Sequence, residues 1–234
     1  MMPGGWAFLS DPALLRFLLW GVGVTLSVAA GAVVLSTLLG TALALFRLSR
    51  WRVLRIPAAA YVETVRGLPS FLVIVYVFFA AGRLDLGLSV PAAVIAGLSL
   101  YGAALSAEII RAGILSIERG QLDAARALGL GSAHCLLYVV APQAVRRMAP
   151  ALASQFVTLT KSTAYGSAIG LTELLQRGVI IYSRYFNPAE VLCVIGLAYF
   201  ALCSVLSMLV TLLERTPGTA GGHRPELRPQ GGLE

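Results

Sequence analysis

Long apolar runs alternate along this chain with short charged stretches. From 17 to 46, thirty consecutive residues carry no charge. As a helix this run would span about 45 Å, against ~30 Å for the hydrocarbon core of a bilayer. It predicts a membrane helix that tilts or extends past one boundary. Ser10-Asp11-Pro12 marks its start, with a capping side chain and then proline in the first turn. A second helix is predicted over 57–82; it holds Glu63 and Arg66 and should kink at Gly67-Leu68-Pro69. A third runs over 90–113, with a charge-free stretch of 22 residues from 86 to 107 and then Glu108 and Arg111. The segment 114–147 is too polar to span a bilayer and reads as short helices. Gly129 and Gly131 break it, and Ser132 can cap a new helix. A fourth span over 148–170 is apolar but carries Lys161 among Ser154, Thr158, Thr160, Ser162, Thr163 and Ser167, which predicts packing against other helices or water. Residues 171–188 read as a loop, and the 23 charge-free residues of 191–213 as a fifth span.

Composition agrees. Of the 234 residues 58% are hydrophobic and only 12% charged, about half the charge of a soluble domain. Mean hydropathy is +0.82. The net charge is +7, but no Lys/Arg patch interleaved with aromatics is present, so the surplus does not point to nucleic acid. It reads instead as the basic bias of cytoplasmic loops. Segments 47–56 and 114–147 carry eight arginines between them, whereas 83–89 and 171–188 carry three. The expected chain is therefore all-α and polytopic, with about five membrane helices, amino terminus outside and carboxyl terminus inside. Residues 1–13 form an external segment, 14–213 the membrane domain and 214–234 a flexible cytoplasmic tail. The amino terminus lacks the basic start of a signal peptide, so the first helix reads as retained.

The polar groups exclude several functions. Cys135, Cys193 and Cys203 lie in apolar surroundings without metal-ligand spacing, and His134 and His223 are far apart. The spans hold no paired aspartates and no serine with a histidine, as an intramembrane protease requires. There is no Gly-x-x-x-x-Gly-Lys-Ser/Thr phosphate loop, so any ATP hydrolysis belongs to another chain. A non-transporting assembly factor remains as an alternative, although the hydroxyl-rich fourth span counts against it.

One motif in the polar segment narrows the choice. Asp123-Ala124-Ala125 is followed after three residues by Gly129, and after nine more by Val139-Val140-Ala141-Pro142. This resembles the coupling motif of ATP-binding-cassette (ABC) importer permeases: Glu-Ala-Ala, three residues, Gly, nine residues, Ile-x-Leu-Pro. Asp123 replaces Glu and keeps the carboxylate; Val139 and Ala141 keep an apolar character. Small residues let a helix backbone approach a partner closely, and Gly129 allows a left-handed stop. Glu63-x-x-Arg66-Gly67-x-Pro69, Ala107-Glu108-x-x-Arg111-x-Gly113, Pro142-Gln143, Gln155-Phe156 and Lys161-Ser162-Thr163 further resemble the polar amino-acid branch of these permeases.

The resemblance implies the type I importer permease fold and a polar amino acid as cargo. It implies ATP-binding subunits that carry ATP and magnesium, an external solute-binding protein, a second permease subunit and a bacterial cytoplasmic membrane. No cofactor is expected in this chain. Asp123, Ala124, Ala125, Gly129 and Pro142 would couple to the ATPase. Glu63, Arg66, Glu108 and Arg111 are expected to form a charge network, either at a gate or structural. Lys161, Ser162 and Thr163 would be pathway or structural residues, with a structural role favoured for Lys161 because a fixed cation hinders cationic cargo.

Overall fold

A computed structural model describes residues 6–214 of the chain. The expected tail beyond Glu214 and residues 1–5 of the expected external segment lie outside the described residues. All regular structure among the described residues is helical.

The first helix, α1 (Pro12–Leu48), follows a short 3-10 turn, Ala7–Ser10. Asp11 caps it by accepting the Ala13 N–H at 2.8 Å, and Pro12 occupies the first turn. The next two helices, α2 (Arg52–Arg66) and α3 (Ser70–Arg83), replace the single kinked helix expected there, and their axes differ by 111°. Pro69 offers no N–H and disfavours helical backbone at the residue before it, while Gly67 ends α2. The chain therefore breaks and restarts at Ser70.

Helix α4 (Val90–Leu115) is capped by Ser89 and begins with Pro91 in its first turn. It is the central helix, and 61% of its most apolar stretch is buried, against 33% for α1 and 17% for the last helix. Its buried face is small: Gly97, Gly102, Ala103, Ala104, Ser106 and Ala107. Small residues let backbones meet where lipid offers little hydrophobic contrast. At Gly97, an added Cβ would lie 2.7 Å from the Ile74 Cα on α3. Ile74 joins Val28, Ala32, Val94, Leu98, Leu159 and Leu171 in the main core cluster.

The polar segment folds as α5 (Arg119–Ala127), followed by a helical run that begins at α6 (Ser132–His134). Gly131, rather than Ser132, is the cap residue there, and Ser132 is the first helical residue. The run continues through a π-helical stretch, Cys135–Val140, into α7 (Ala141–Ser162). Pro142 sits in the first turn of α7 and removes one N–H from the ladder, next to the wider π turn. The helix expected over 148–170 thus starts sixteen residues early, at 132. It ends at Ser162 in a 3-10 stretch, Thr163–Ile169, stopped by left-handed Gly170.

The expected loop 171–188 contains a further helix, α8 (Leu174–Tyr185). Helix α9 (Pro188–Glu214) closes the described chain. Three of these helices, α1, α4 and α9, are long and apolar enough to cross a membrane, and the bent α2–α3 pair makes a fourth if taken as one span. Helix α7 does not meet that test; it carries Arg146, Arg147 and Lys161.

Candidate functional site

Three groups of residues carry the polar chemistry. The first is the motif segment. Helix α5 is nine residues long, and its end is a hydrogen-bonded stop. The Gly129 N–H reaches the Arg126 carbonyl at 2.9 Å and the Leu130 N–H reaches the Ala125 carbonyl at 3.2 Å, closing the helix through Gly129 at φ +80°. One face of α5 is held in the protein by buried Ala125 and by Leu122, which packs on Ile117, Val140 and Ala144. The other face is open: Asp123, Ala124 and Ala127 are exposed, and Leu128 is 82% exposed. Asp123 lies 3.6 Å from Arg126, an exposed pair that holds little energy. Among the described residues nothing lies within 4 Å of a Cβ built on Gly129. Pro142 is also exposed. Arg147, on α7, donates to the Ser116 carbonyl and ties α7 to the end of α4.

The second group is a charge cluster at the junction of α1, α2 and α4. Glu63, Glu108 and Arg111 meet there, joined by Arg47. Arg47 donates to Glu108 and, at 3.2 Å, to Glu63. Arg111 donates to both oxygens of Glu108. Arg66 stays outside: it is exposed and makes no ion pair among the described residues. The i, i+3 spacing places Glu63 and Arg66 on one face of α2, but Arg47 at the end of α1 is the cation that reaches Glu63. In the sequence Arg47 looks like one more basic loop residue. The signal that separates it is its place at the end of the apolar run, where a helical continuation turns it inward.

The third group lies between α7 and α9. A cavity of about 630 Å³ is lined by Lys161 and Val157 of α7 with Tyr199, Cys203, Ser204 and Ser207 of α9. Lys161 is exposed to this space and makes no ion pair among the described residues. Its neighbours Ser162 and Thr163 are buried. Their hydroxyls donate to the carbonyls of Thr158 and Thr160 at 3.1 and 2.8 Å. Thr158 and Thr160 bond backwards in the same way. The hydroxyl density of α7 is therefore used by its own backbone, and Lys161 is the polar side chain that α7 turns to the cavity. Gln155 is buried and bridges α7 to α4, accepting from Ser106 at 3.1 Å and donating to the Gly102 carbonyl at 2.9 Å.

Beside the cavity lies a residue that sequence reasoning misses. Glu173 caps α8, accepting from the Leu175 and Gln176 N–H groups at 2.9 Å each, and is fully buried. Thr25 of α1 and Tyr199 of α9 also donate to it, at 3.3 and 2.5 Å. Glu173 is the one carboxylate of the expected loop 171–188, and that is the signal that could have found it. Among the described residues no group of three His, Cys, Asp or Glu side chains could hold a metal.

The comparisons with known proteins agree with one another. Residues 11–217 match the family described as "Binding-protein-dependent transport system inner membrane component". The chain is 39% identical over 205 residues to the probable glutamine ABC transporter permease protein GlnP of Bacillus subtilis (strain 168), covering 86% of this chain and 93% of that one. It is 35% identical over 210 residues to the glutamate/aspartate import permease protein GltK of Escherichia coli O157:H7, covering 86% and 93%. Among solved structures it resembles an amino acid ABC transporter crystallised with histidines, with TM-score 0.83 and 31% identity over 89% of this chain and 97% of that one. The MetNI methionine ABC transporter shares the fold, with TM-score 0.76 and 22% identity over 88% and 98%. An all-helical chain with an exposed motif helix, no phosphate loop and this set of relatives belongs to the inner-membrane permease components of binding-protein-dependent ABC importers, in their polar amino-acid branch.

Proposed function

We propose that α5 is the docking element through which this permease is driven by a separate ATPase subunit. The observation that supports this most directly is the exposed Asp123-Ala124-Ala127-Leu128 face, closed by the left-handed turn at Gly129. A strongly exposed leucine beside small residues is a surface built for a partner's groove. Ala125 anchors the same helix from behind, and Pro142 with the π turn begins the helix that carries motion inward. The chain crosses the membrane five times, with α7 as the interrupted fourth crossing, amino terminus outside and α5 in the cytoplasm. Two ATPase subunits, an external binding protein and a second permease copy, identical or related, complete the transporter.

The cavity at Lys161 is a stretch of the pathway. Its volume falls within the ~300–1,000 Å³ range of small-molecule sites. Among the described residues no carboxylate pairs with Lys161, so its ammonium can meet the carboxylate of a passing amino acid. The cluster of Arg47, Glu63, Glu108 and Arg111 ties α1, α2 and α4 at the α5 end and acts as a gate hinge that breaks and re-forms between two packed states. Glutamine, glutamate and arginine are carried by relatives of this chain, as their names state, and a polar amino acid of that kind is the cargo here. Lys161→Met tests the cavity reading. It is expected to leave the amount of assembled complex unchanged and to lower ATP-dependent uptake at least tenfold, about 1.4 kcal/mol of lost interaction. Reduced assembly with normal uptake per complex would make Lys161 structural instead.

A further inference from the structure

The start of α2 presents three kinds of surface at once. Ala58 and Val62 are buried and Leu54 is half-buried, spaced i, i+4 along the side that packs inward. That side is fixed in place: the Tyr61 hydroxyl donates to the Leu100 carbonyl of α4 at 2.8 Å, and Glu63 accepts from Arg47. Arg52 and Arg55, spaced i, i+3, form a second strip, with Arg50 just before the helix. Val53 and Ile56 form a third, with Trp51 before them; these three side chains are 82%, 60% and 63% exposed. The three arginines are exposed too and make no ion pair among the described residues. The one carboxylate of α2 is Glu63, and Arg47 already holds it.

Water suits the arginines but not the tryptophan, valine and isoleucine beside them. Hydrocarbon suits those three but not the arginines. Both demands are met where lipid headgroups adjoin acyl chains, and tryptophan gathers at that boundary. The uncharged run of α1 ends at Phe46, just before this segment. The axes of α2 and α3 differ by 111°, so the two helices cannot both stand along the membrane normal. Helix α3 is uncharged up to Arg83, which leaves the start of α2, with its exposed charges, to lie along the boundary. We propose that segment 50–56 is a binding site for anionic phospholipid of the cytoplasmic leaflet, with lipid phosphate against Arg50, Arg52 and Arg55 and acyl chain against Trp51, Val53 and Ile56. Charge selects the lipid class. A zwitterionic headgroup brings a cation with its phosphate, whereas a net anionic surface gains roughly fivefold in attraction for each arginine held near it. The leaflet rests on the reading of 47–56 as cytoplasmic; the lipid class does not.

The experiment uses the assembled permease–ATPase complex in vesicles of equal phosphatidylglycerol and phosphatidylcholine, the same in both leaflets, so that its result does not depend on orientation. A photoreactive benzoylphenylalanine replaces Val53 or, separately, Ile56, and mass spectrometry identifies what is captured on illumination. Phospholipid adducts are expected at both positions, with phosphatidylglycerol exceeding phosphatidylcholine by about fivefold or more. Arg50→Gln, Arg52→Gln and Arg55→Gln together should leave lipid adducts but bring the two lipids to equal yield. Each single substitution should lower the preference in part, and the single variants decide if the triple variant does not assemble. Capture of an ATPase subunit or a second permease chain in place of lipid overturns the proposal, as does the absence of any lipid adduct. Equal yields of the two lipids with all three arginines present, or a preference that survives their removal, overturns it as well.

Discussion

Replacing Arg47 by glutamine should destabilise the permease by about 2–3 kcal/mol, although in the sequence this residue looks like one of several loop arginines. The Arg47 side chain is 12% exposed, and its partners differ: Glu108 is 27% exposed and Glu63 is 64% exposed. A hydrogen bond between charged groups contributes about 1.5–3 kcal/mol when shielded, so the Glu108 bond dominates. The Glu63 arm faces solvent and adds at most about 1 kcal/mol. Glu108 keeps Arg111 after the substitution, so the loss stays below the ~3–5 kcal/mol of a stranded buried charge. Arg66→Gln should change stability by no more than about 0.5 kcal/mol, because that side chain is exposed and makes no ion pair among the described residues. The assay is reversible unfolding of the purified permease in mixed micelles, for Arg47→Gln, Glu108→Gln, the double variant and Arg66→Gln. A coupling energy of about 1–2 kcal/mol between Arg47 and Glu108 is expected. Additive single effects, or a cost at Arg66 equal to that at Arg47, would refute the assignment of Arg47 as the hub.

The packing and the charge bias each give one further expected outcome. Gly40→Val should lower thermal stability by about 1–3 kcal/mol or prevent assembly, because a Cβ there would run into Ser106 and lie 3.0 Å from the Ala103 carbonyl oxygen. Gly23→Val on the same helix, with nothing within 4 Å, should be tolerated; a thermal-shift comparison in detergent checks both. In a background without native cysteines, Gly87→Cys should react with an impermeant thiol reagent from outside intact cells and Gly131→Cys should not, and external labelling at 131 would reverse the orientation.

Much of the helical frame was legible because its signals are local. The cap at Asp11 followed by proline, and the charge-free runs 17–46 and 86–107, mark α1 and α4 within a few residues. The break at Pro69 was legible as a position but not as an angle, since 111° is set by how α2 and α3 pack on α4. Helix α8 was missed inside the expected loop 171–188, where Arg177, Gly178 and Arg184 interrupt the apolar pattern. Gly178 is there for packing instead: an added Cβ would run into the Ile195 side chain on α9. Motif spacing marked α5 but not which side faces out: Ala125, expected with Ala124 to meet a partner, is buried against the chain itself, and Leu128 is exposed instead. The hydroxyls of α7 were legible only as a choice between helix packing and water, because sequence cannot say whether a threonine faces a cavity or bonds back to its own turn. Arg47 and Glu173 were not legible as site residues. Their partners lie 61 and 148 positions away in the chain, and only the tertiary packing brings them together.

The coupling role of α5 is tested most directly by ATP-dependent uptake in proteoliposomes that hold the permease, its ATPase subunits and its binding protein. Asp123→Lys reverses a charge on the exposed face of α5 and sets a second cation beside Arg126. Gly129→Val strains a backbone at φ +80° by about 1–2 kcal/mol and adds bulk on the exposed face. Gly131→Val is the control, at an open position with an ordinary negative φ. The account predicts normal amounts of permease for all three, with ATPase co-purification weakened and uptake reduced at least tenfold for Asp123→Lys and Gly129→Val alone, a change of about 1.4 kcal/mol or more. Uptake and ATPase association left intact in both variants would contradict it.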